Sequence, residues 1–312
     1  MSITNHSLLT DLRMNNMISQ EIRLYLADSL SLRNTEFMDF VGSVNGMGSA
    51  TIKVRKAGLD GYDAAQWSAF SGATEADAVS DTSLTETSAD VTVKRRALAY
   101  SISDLASMTG TGPGDLDPFR IAESIARSYD GMFADLTANA ITGFSDIETG
   151  SAGNTLSVDS FLNALQKLQN KSGKTVPGPY IAVLHPKAFG ELQDSIRSET
   201  QGVLQFVMPS YEALKAKGSS YKGQFLGCEI YVSSYIENDG VNSYAGVWGP
   251  GALGFATGAP AIVGAAQVMD MDQVSIEFSR DATKALTRVV GHAYLGISVI
   301  DDDRGVILQS AK

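Results

Sequence analysis

The residues able to do chemistry are few, and their spacing can be tested directly. Gly249-Pro250-Gly251-Ala252-Leu253-Gly254 has the G-x-G-x-x-G spacing of a dinucleotide-binding turn, and the strand-like YAGVW precedes it. Such a turn must open a helix whose first N–H groups meet the pyrophosphate. Gly258 and Pro260 follow instead. Both residue types break helices, so the spacing is a coincidence of composition. Gly173-Lys174-Thr175 has the last residues of a phosphate-binding loop, but Leu168 stands where the first glycine is required. A helix end explains Gly173 better. Ser219 and Lys222 satisfy the S-x-x-K spacing of some serine acyl-enzymes, inside a Gly- and Ser-rich stretch with no partner motif.

Metal chemistry fares no better. His6, His185 and His292 do not stand at ligand spacing with one another or in any recognised arrangement. Asp270 with Asp272, and Asp301 to Asp303, are acidic enough to touch a divalent cation but lack the Gly and bidentate Glu of a calcium loop. They read as solvated turns. Cys228 is the sole cysteine, which excludes an intramolecular disulfide and a multi-cysteine zinc site. No catalytic, cofactor or metal site is therefore expected, and the chain reads as a protein other than an enzyme, working through its surfaces.

Composition narrows the classes. At 312 residues the chain holds one large domain or two ordinary ones. It is 44% hydrophobic and 19% charged, enough apolar material for a real core. A net charge of −11 and a pI near 4.7 argue against a dedicated nucleic-acid-binding protein, whose first signature is a basic surface. The opening MSITNHSLLTDLRMNN lacks a basic segment followed by an apolar run, so no secretory signal is expected. Residues 241–269 carry no charge and are long enough to span a bilayer. Glycines and prolines recur through them, so buried strands and turns are expected there and no membrane association.

The element that must position everything else is DPFRIAESIARSYDGMFADLTANAIT, residues 117–142. Asp117 can cap a helix and Pro118 suits its first position. Ala122, Ile125, Tyr129, Met132, Leu136 and Ala140 then fall at steps of three and four on one face, and Gly143 offers a stop. A helix of this length is a rod of roughly 37 Å. Before it, residues 14–29 have a helix-compatible pattern, and the following SLRNTEFMDFVGSVNGMGSA reads as an arm or linker.

The stretch from 51 to 100 is the most unusual. Ile52 and Val54 alternate with Lys53 and Arg55, and Val91, Val93, Ala97 and Ala99 alternate with polar or basic neighbours, as half-exposed strands do. Between Ala57 and Val93 there is no Lys or Arg, whereas Asp60, Asp63, Glu75, Asp77, Asp81, Glu86 and Asp90 are negative. The flanks hold Lys53, Arg55, Lys56, Lys94, Arg95 and Arg96. The segment is a hairpin with basic arms and an acidic far end, and Trp67 and Phe70 near its tip want a surface to cover them. A loop this long reaches for a partner unless it is merely solvated. These eight cations and aromatics, Lys53, Arg55, Lys56, Trp67, Phe70, Lys94, Arg95 and Arg96, are the candidate subunit-interface residues.

Downstream, Ser157 can cap a helix carrying Phe161, Leu165 and Leu168. YIAVL at 180–184 is a continuous apolar run, hence a buried strand, and His185-Pro186 turns it into a helix with Phe189, Leu192 and Ile196. Cys228–Tyr231 is a strand candidate. Val274, Ile276 and Phe278 alternate, a polar turn follows at 281–284, and RVVGHAYLGISVIDDDRGVIL reads as a long strand, a turn at 301–304 and a shorter strand. The order of elements is α+β.

Taken together, the arm, the two-armed loop at 51–100, the spine-like helix 117–142, YIAVLHPKAFGELQDSI at 180–196 and the closing strands at 277–308 resemble the major capsid protein of tailed bacteriophages, the Hong Kong 97 fold. The resemblance covers nearly the whole chain and lies in the combination, with VLHPKAF as the most suggestive string. It implies an N-terminal arm over 1–48, an extended loop over 49–100 and a peripheral domain over 101–196. It further implies an axial domain over 197–270 and closing strands over 271–312 returning to the peripheral domain. Function would then be self-assembly through pentamers and hexamers into an icosahedral shell enclosing a double-stranded DNA genome.

The same resemblance implies portal and scaffolding proteins as partners, DNA contacted weakly and without sequence specificity, and a place in the virion after assembly in the host cytoplasm. An arm starting almost at Met1 implies a separate scaffolding protein or none. The loop core Ala57–Val93 has no lysine, so the lysine–asparagine crosslink of some relatives is not carried over. An encapsulin-type nanocompartment loading an enzyme cargo is the alternative within the same fold. A nucleotide-binding enzyme built on the 249–254 turn is the remote one.

Overall fold

Residues 117–142 do form the long helix: α1 (Pro118–Ile141), 24 residues and therefore about 36 Å. The computed structural model describes residues 38–56, 87–105, 118–148, 155–170, 176–198, 206–217, 220–234, 236, 242–258, 266–267 and 274–311. The helix expected at 14–29 and the loop core with Trp67 and Phe70 lie outside these residues.

The buried face of α1 differs from the expected one. Ile125, Tyr129 and Ala140 are buried as expected, but Phe133, Thr137 and Ile141 join them, whereas Met132 and Leu136 only flank the contact. Steps of four advance the contact by about 40° each, because four residues overshoot one 3.6-residue turn. The face thus rotates along the helix, which lets α1 serve two sheets. Its first half packs Ile125, Ala126 and Tyr129 against Val274, Ile276, Val289 and Ala293. Its second half packs Phe133, Ala134 and Ile141 against Ile181, Val183, Trp248 and Ile307.

The first sheet is built around β14 (Leu286–Val299), a 14-residue strand. Along one edge it pairs antiparallel with β4 (Lys94–Ser103) and then with β11 (Leu253–Thr257), and along the other with β13 (Val274–Asp281). Strand β1 (Met38–Ser43) adds to β11 in parallel, and β12 (Ala266–Gln267) adds to β13. Residues 38–43, expected to belong to an arm, are thus part of a sheet. Met38 is buried against Leu253 and Phe255, and that contact outweighs the local Gly and Ser content.

The second sheet has seven strands. Their order is β5 (Asp146–Glu148), β15 (Gly305–Ala311), β10 (Asn242–Trp248), β6 (Tyr180–Leu184), β9 (Cys228–Val232), β8 (Tyr221–Phe225) and β7 (Phe206–Val207). Helices α2 (Val158–Gln169) and α3 (Pro186–Ser198) cover one face, burying Phe161, Leu168 and Leu192 against Ala182, Leu184 and Val247. Ser157 caps α2, its Oγ accepting from the Ser160 N–H. The other face meets α1. YIAVL is apolar at every position because Tyr180, Ala182 and Leu184 point to α2 and α3 while Ile181 and Val183 point to α1.

Two expected boundaries do not follow the sheets. The cut at 196/197 separates β6, α2 and α3 from β7, β8 and β9, yet all belong to one sheet with its covering helices. The closing strands also part company, β13 and β14 joining the first sheet and β15 the second. Sequence order does not follow the sheet because its neighbouring strands come from distant parts of residues 146–311: β6 lies between β9 and β10, and β10 lies beside β15. The uncharged residues 242–258 are strands β10 and β11, and no described helix is long and apolar enough to cross a membrane.

Candidate assembly surface

The arms of the expected hairpin are present. β2 (Thr51–Lys56) pairs antiparallel with β3 (Thr87–Thr92), with Lys56 opposite Thr87 at the far end. Alternation sorts the side chains as period two requires. Val91 and Val93 are buried with Ala256, and Ile52, Val54, Val41 and Tyr294 pack against them. Lys53, Arg55 and Asp90 stay exposed on the other face, with Lys53 opposite Asp90 in register. The Val93 N–H donates to the Ala50 carbonyl at 2.8 Å and closes the base. That base crosses β14 so closely that a Cβ on Gly296 would sit 2.1 Å from the Thr92 carbonyl oxygen. The hairpin is therefore seated on the first sheet, and its exit is aimed by backbone packing.

The basic run splits by alternation along β4. Lys94 and Arg95 are exposed, while Arg96 is half-buried. Arg95 turns out to work within its own chain: its Nη2 lies 3.3 Å from Nδ1 of the buried His292. A guanidinium only donates, so Nδ1 accepts, and the imidazole proton on Nε2 faces Glu277 at 3.4 Å. Arg95, His292 and Glu277 tie β4, β14 and β13 together across the outer face of the sheet. The Nε of Arg96 is buried and has no hydrogen-bond partner among the described residues. Lys56 ends β2, while Trp67 and Phe70 lie outside the described residues.

A second exposed surface escaped the sequence reading. Met208 and Tyr211 are 79% and 81% exposed, beside Val207 and the partly exposed Leu214. Val207 lies on edge strand β7, Met208 in the link after it, and Tyr211 and Leu214 on the short α4 (Tyr211–Lys217), none of whose residues is buried. The patch is held in place from below. Lys217 pairs with Glu229 of β9 and lies 4.9 Å from the centre of the Tyr221 ring, and the Tyr231 hydroxyl donates to Glu229 at 3.2 Å. Burial, and then the Glu229 charge, push the Tyr231 phenol far up, so it remains a donor. The readable signal was Phe206-Val207-Met208, an apolar run placed just before Pro209 and a charged helix. Exposed apolar side chains gathered at a sheet edge are a feature of contact surfaces.

The Gly-rich turn has a structural role. Residues 249–252 link β10 to β11, with no helix following. Arg304 enters the turn, its Nη1 donating to the Pro250 carbonyl at 2.8 Å and its Nε to Asp301 at 3.1 Å. Asp301 also accepts from the Asp303 N–H at 3.2 Å, so this acidic run builds a turn. Cys228 is fully buried, and burial raises its thiol well above the usual range. Among the described residues no group of three or more His, Cys, Asp or Glu is placed to hold a metal.

A long helix across two sheets, with a two-stranded hairpin seated on one of them, defines a class. Solved structures share it. A chain of Mycobacterium phage Che8 is 17% identical over 85% of this chain and 87% of that one, with a TM-score of 0.52. The capsid structure of cyanophage P-SCSP1u is 14% identical over 87% and 85%, with a TM-score of 0.53. The holo-SrpI encapsulin complex from Synechococcus elongatus PCC 7942 is 15% identical over 72% and 76%, with a TM-score of 0.50. The fold is that of protein shells. Residues 86–308 match the phage capsid protein family, and the chain belongs to it. No curated protein matches the sequence.

Proposed function

We propose that this chain is the major capsid protein of a tailed phage, assembling through pentamers and hexamers into an icosahedral shell around double-stranded DNA. The observation that carries the reading is the family match over residues 86–308. It is supported by a hairpin whose apolar face is seated and whose charged face is exposed. In this reading the working parts are interfaces, and no residue catalyses a reaction. The hairpin and its acidic extension reach a neighbouring subunit, where opposite charges set register more than affinity. The β7–α4 patch gives a second, apolar contact, and heterologous contacts of this kind close into rings. Portal and scaffolding proteins complete the particle, DNA is enclosed without sequence-specific contacts, and assembly takes place in the host cytoplasm.

The likeness to an encapsulin supports a second reading, a cellular compartment loading an enzyme cargo. The family match favours the virion. Electron microscopy of the purified chain, together with the contents of its particles, tests both. Closed particles or pentamer and hexamer rings are expected; particles that capture a co-expressed enzyme and no DNA would favour the compartment. Replacing residues 57–86 by a four-residue turn should leave a folded subunit that forms no shells, and normal shells from that variant would refute the reaching loop.

A further inference from the structure

A cavity of about 260 Å³ lies between the first half of α1 and the first sheet. Leu98, Ile125, Tyr129, Met132, Val274 and Ala293 give it an apolar wall, and Arg96 and Ser128 stand in its lining. Two features make it unusual. A 150 Å³ apolar cavity already holds a benzene ring, so this one has room for a large aromatic side chain. The Nε of Arg96 is also buried with no acceptor among the described residues. Leaving a buried charged donor unmade is costly, and a carboxylate would satisfy it.

We propose that this cavity is a docking site for residues 57–86 of a second copy of the chain, an aromatic side chain filling the apolar wall and a neighbouring carboxylate pairing with Arg96. Charge and size select this occupant. The segment holds Asp60, Asp63, Glu75, Asp77, Asp81 and Glu86 with no Lys or Arg, and the aromatics Tyr62, Trp67 and Phe70 lie among them. Its ends leave the body side by side, since Lys56 pairs with Thr87. Half of its 30 residues can reach up to about 50 Å from that point, enough to cross to a neighbour. The proposal rests on the shell reading and adds to it where the loop lands and which residue anchors it.

The test uses full-length chains. A Ser128→Cys variant and a Ser68→Cys variant are mixed in equal amounts and mildly oxidised; Cys228 is buried and stays out of the reaction. A disulfide-linked pair joining positions 128 and 68, identified by mass spectrometry, is the expected product. Arg96→Gln should lower its yield at least several-fold, and Met132→Trp, which fills the cavity, should abolish it while the subunit keeps its circular dichroism. No 68–128 link in the mixture would overturn the proposal, as would a link that forms only within one chain carrying both cysteines. Equal yields with Arg96 and Met132 substituted would also overturn it. Particles without the link would sink the docking site and spare the shell; the link without particles would do the reverse.

Discussion

Gly296 is the sharpest place to perturb this fold. It lies on β14 where the hairpin base crosses, and an added Cβ would meet the Thr92 oxygen at 2.1 Å, the Thr92 carbonyl carbon at 2.6 Å and the Val93 nitrogen at 3.0 Å. All three are backbone atoms, so no side-chain rotation relieves the clash. If the hairpin yields slightly, Gly296→Ala costs about 1–3 kcal/mol, the usual range for overpacking. If the hairpin lifts, Val91 and Val93 lose their burial at about 1.5–3 kcal/mol each, which raises the cost to about 3–6 kcal/mol. Gly291 on the same strand is the control, because its Cβ would meet only the Ile125 side chain, at 3.4 Å. Gly291→Ala should be neutral, or stabilising by up to about 1 kcal/mol, as glycine is the poorer strand former. Denaturant unfolding of unassembled subunits gives the two energies, and hydrogen exchange locates them. Lost protection in β2 and β3 with α2 and α3 unchanged is expected for Gly296→Ala. Equal stability and equal protection in both variants would refute the seating of the hairpin on β14.

Other outcomes follow from different parts of the chain. Leu226 and Gly227, with φ of 52° and 78°, form the two-residue turn between β8 and β9. Asn-Gly suits such a turn, so Leu226→Asn should add about 1 kcal/mol and raise the Tm by a few degrees, read by calorimetry. Met208→Asp with Tyr211→Asp should leave the subunit's stability within about 0.5 kcal/mol and prevent closed particles, read by sedimentation and electron microscopy. The Thr283 hydroxyl, donating at 2.5 Å, holds the Asp281 carboxyl below its usual pKa, and the Thr283 N–H adds to this. Its contribution is present above the unfolded carboxylate value and is lost as pH falls through the folded one. Thr283→Val should move the Asp281 titration, followed by NMR, back up toward the ordinary range.

The interface candidates illustrate how one sequence feature divides in three dimensions. Lys94, Arg95 and Arg96 are a single basic run in the chain. Strand alternation sends Arg95 to His292 on one face and Arg96 into the cavity wall under α1 on the other. Charge reversal of the whole run would therefore strain the sheet as well as any contact between copies. Arg96→Gln alone keeps the Arg95–His292–Glu277 tie intact.

What the sequence by itself determined was local. Pro118 through Ile141 had to be a helix, because its apolar residues recur at three and four with a cap before and Gly143 after. Ile52, Val54 and Val91 had to lie on one side of a hairpin, because strand side chains alternate. The broken helix after Gly254 disqualified a dinucleotide turn, because Gly258 and Pro260 break helices wherever they fall. Only the tertiary structure decided that Phe133, Thr137 and Ile141 of α1 are buried where Met132 and Leu136 merely flank, because that depends on a seam that rotates from one sheet to the other. Sheet membership was likewise decided there, through pairings such as Val247 with Ala182 and with Val306, which lie far apart in the chain. The exposed Met208 and Tyr211 patch and the unpartnered Nε of Arg96 came from the same source. An apolar residue or a cation has the same letter whether it is covered or not, and only packing records what is left uncovered.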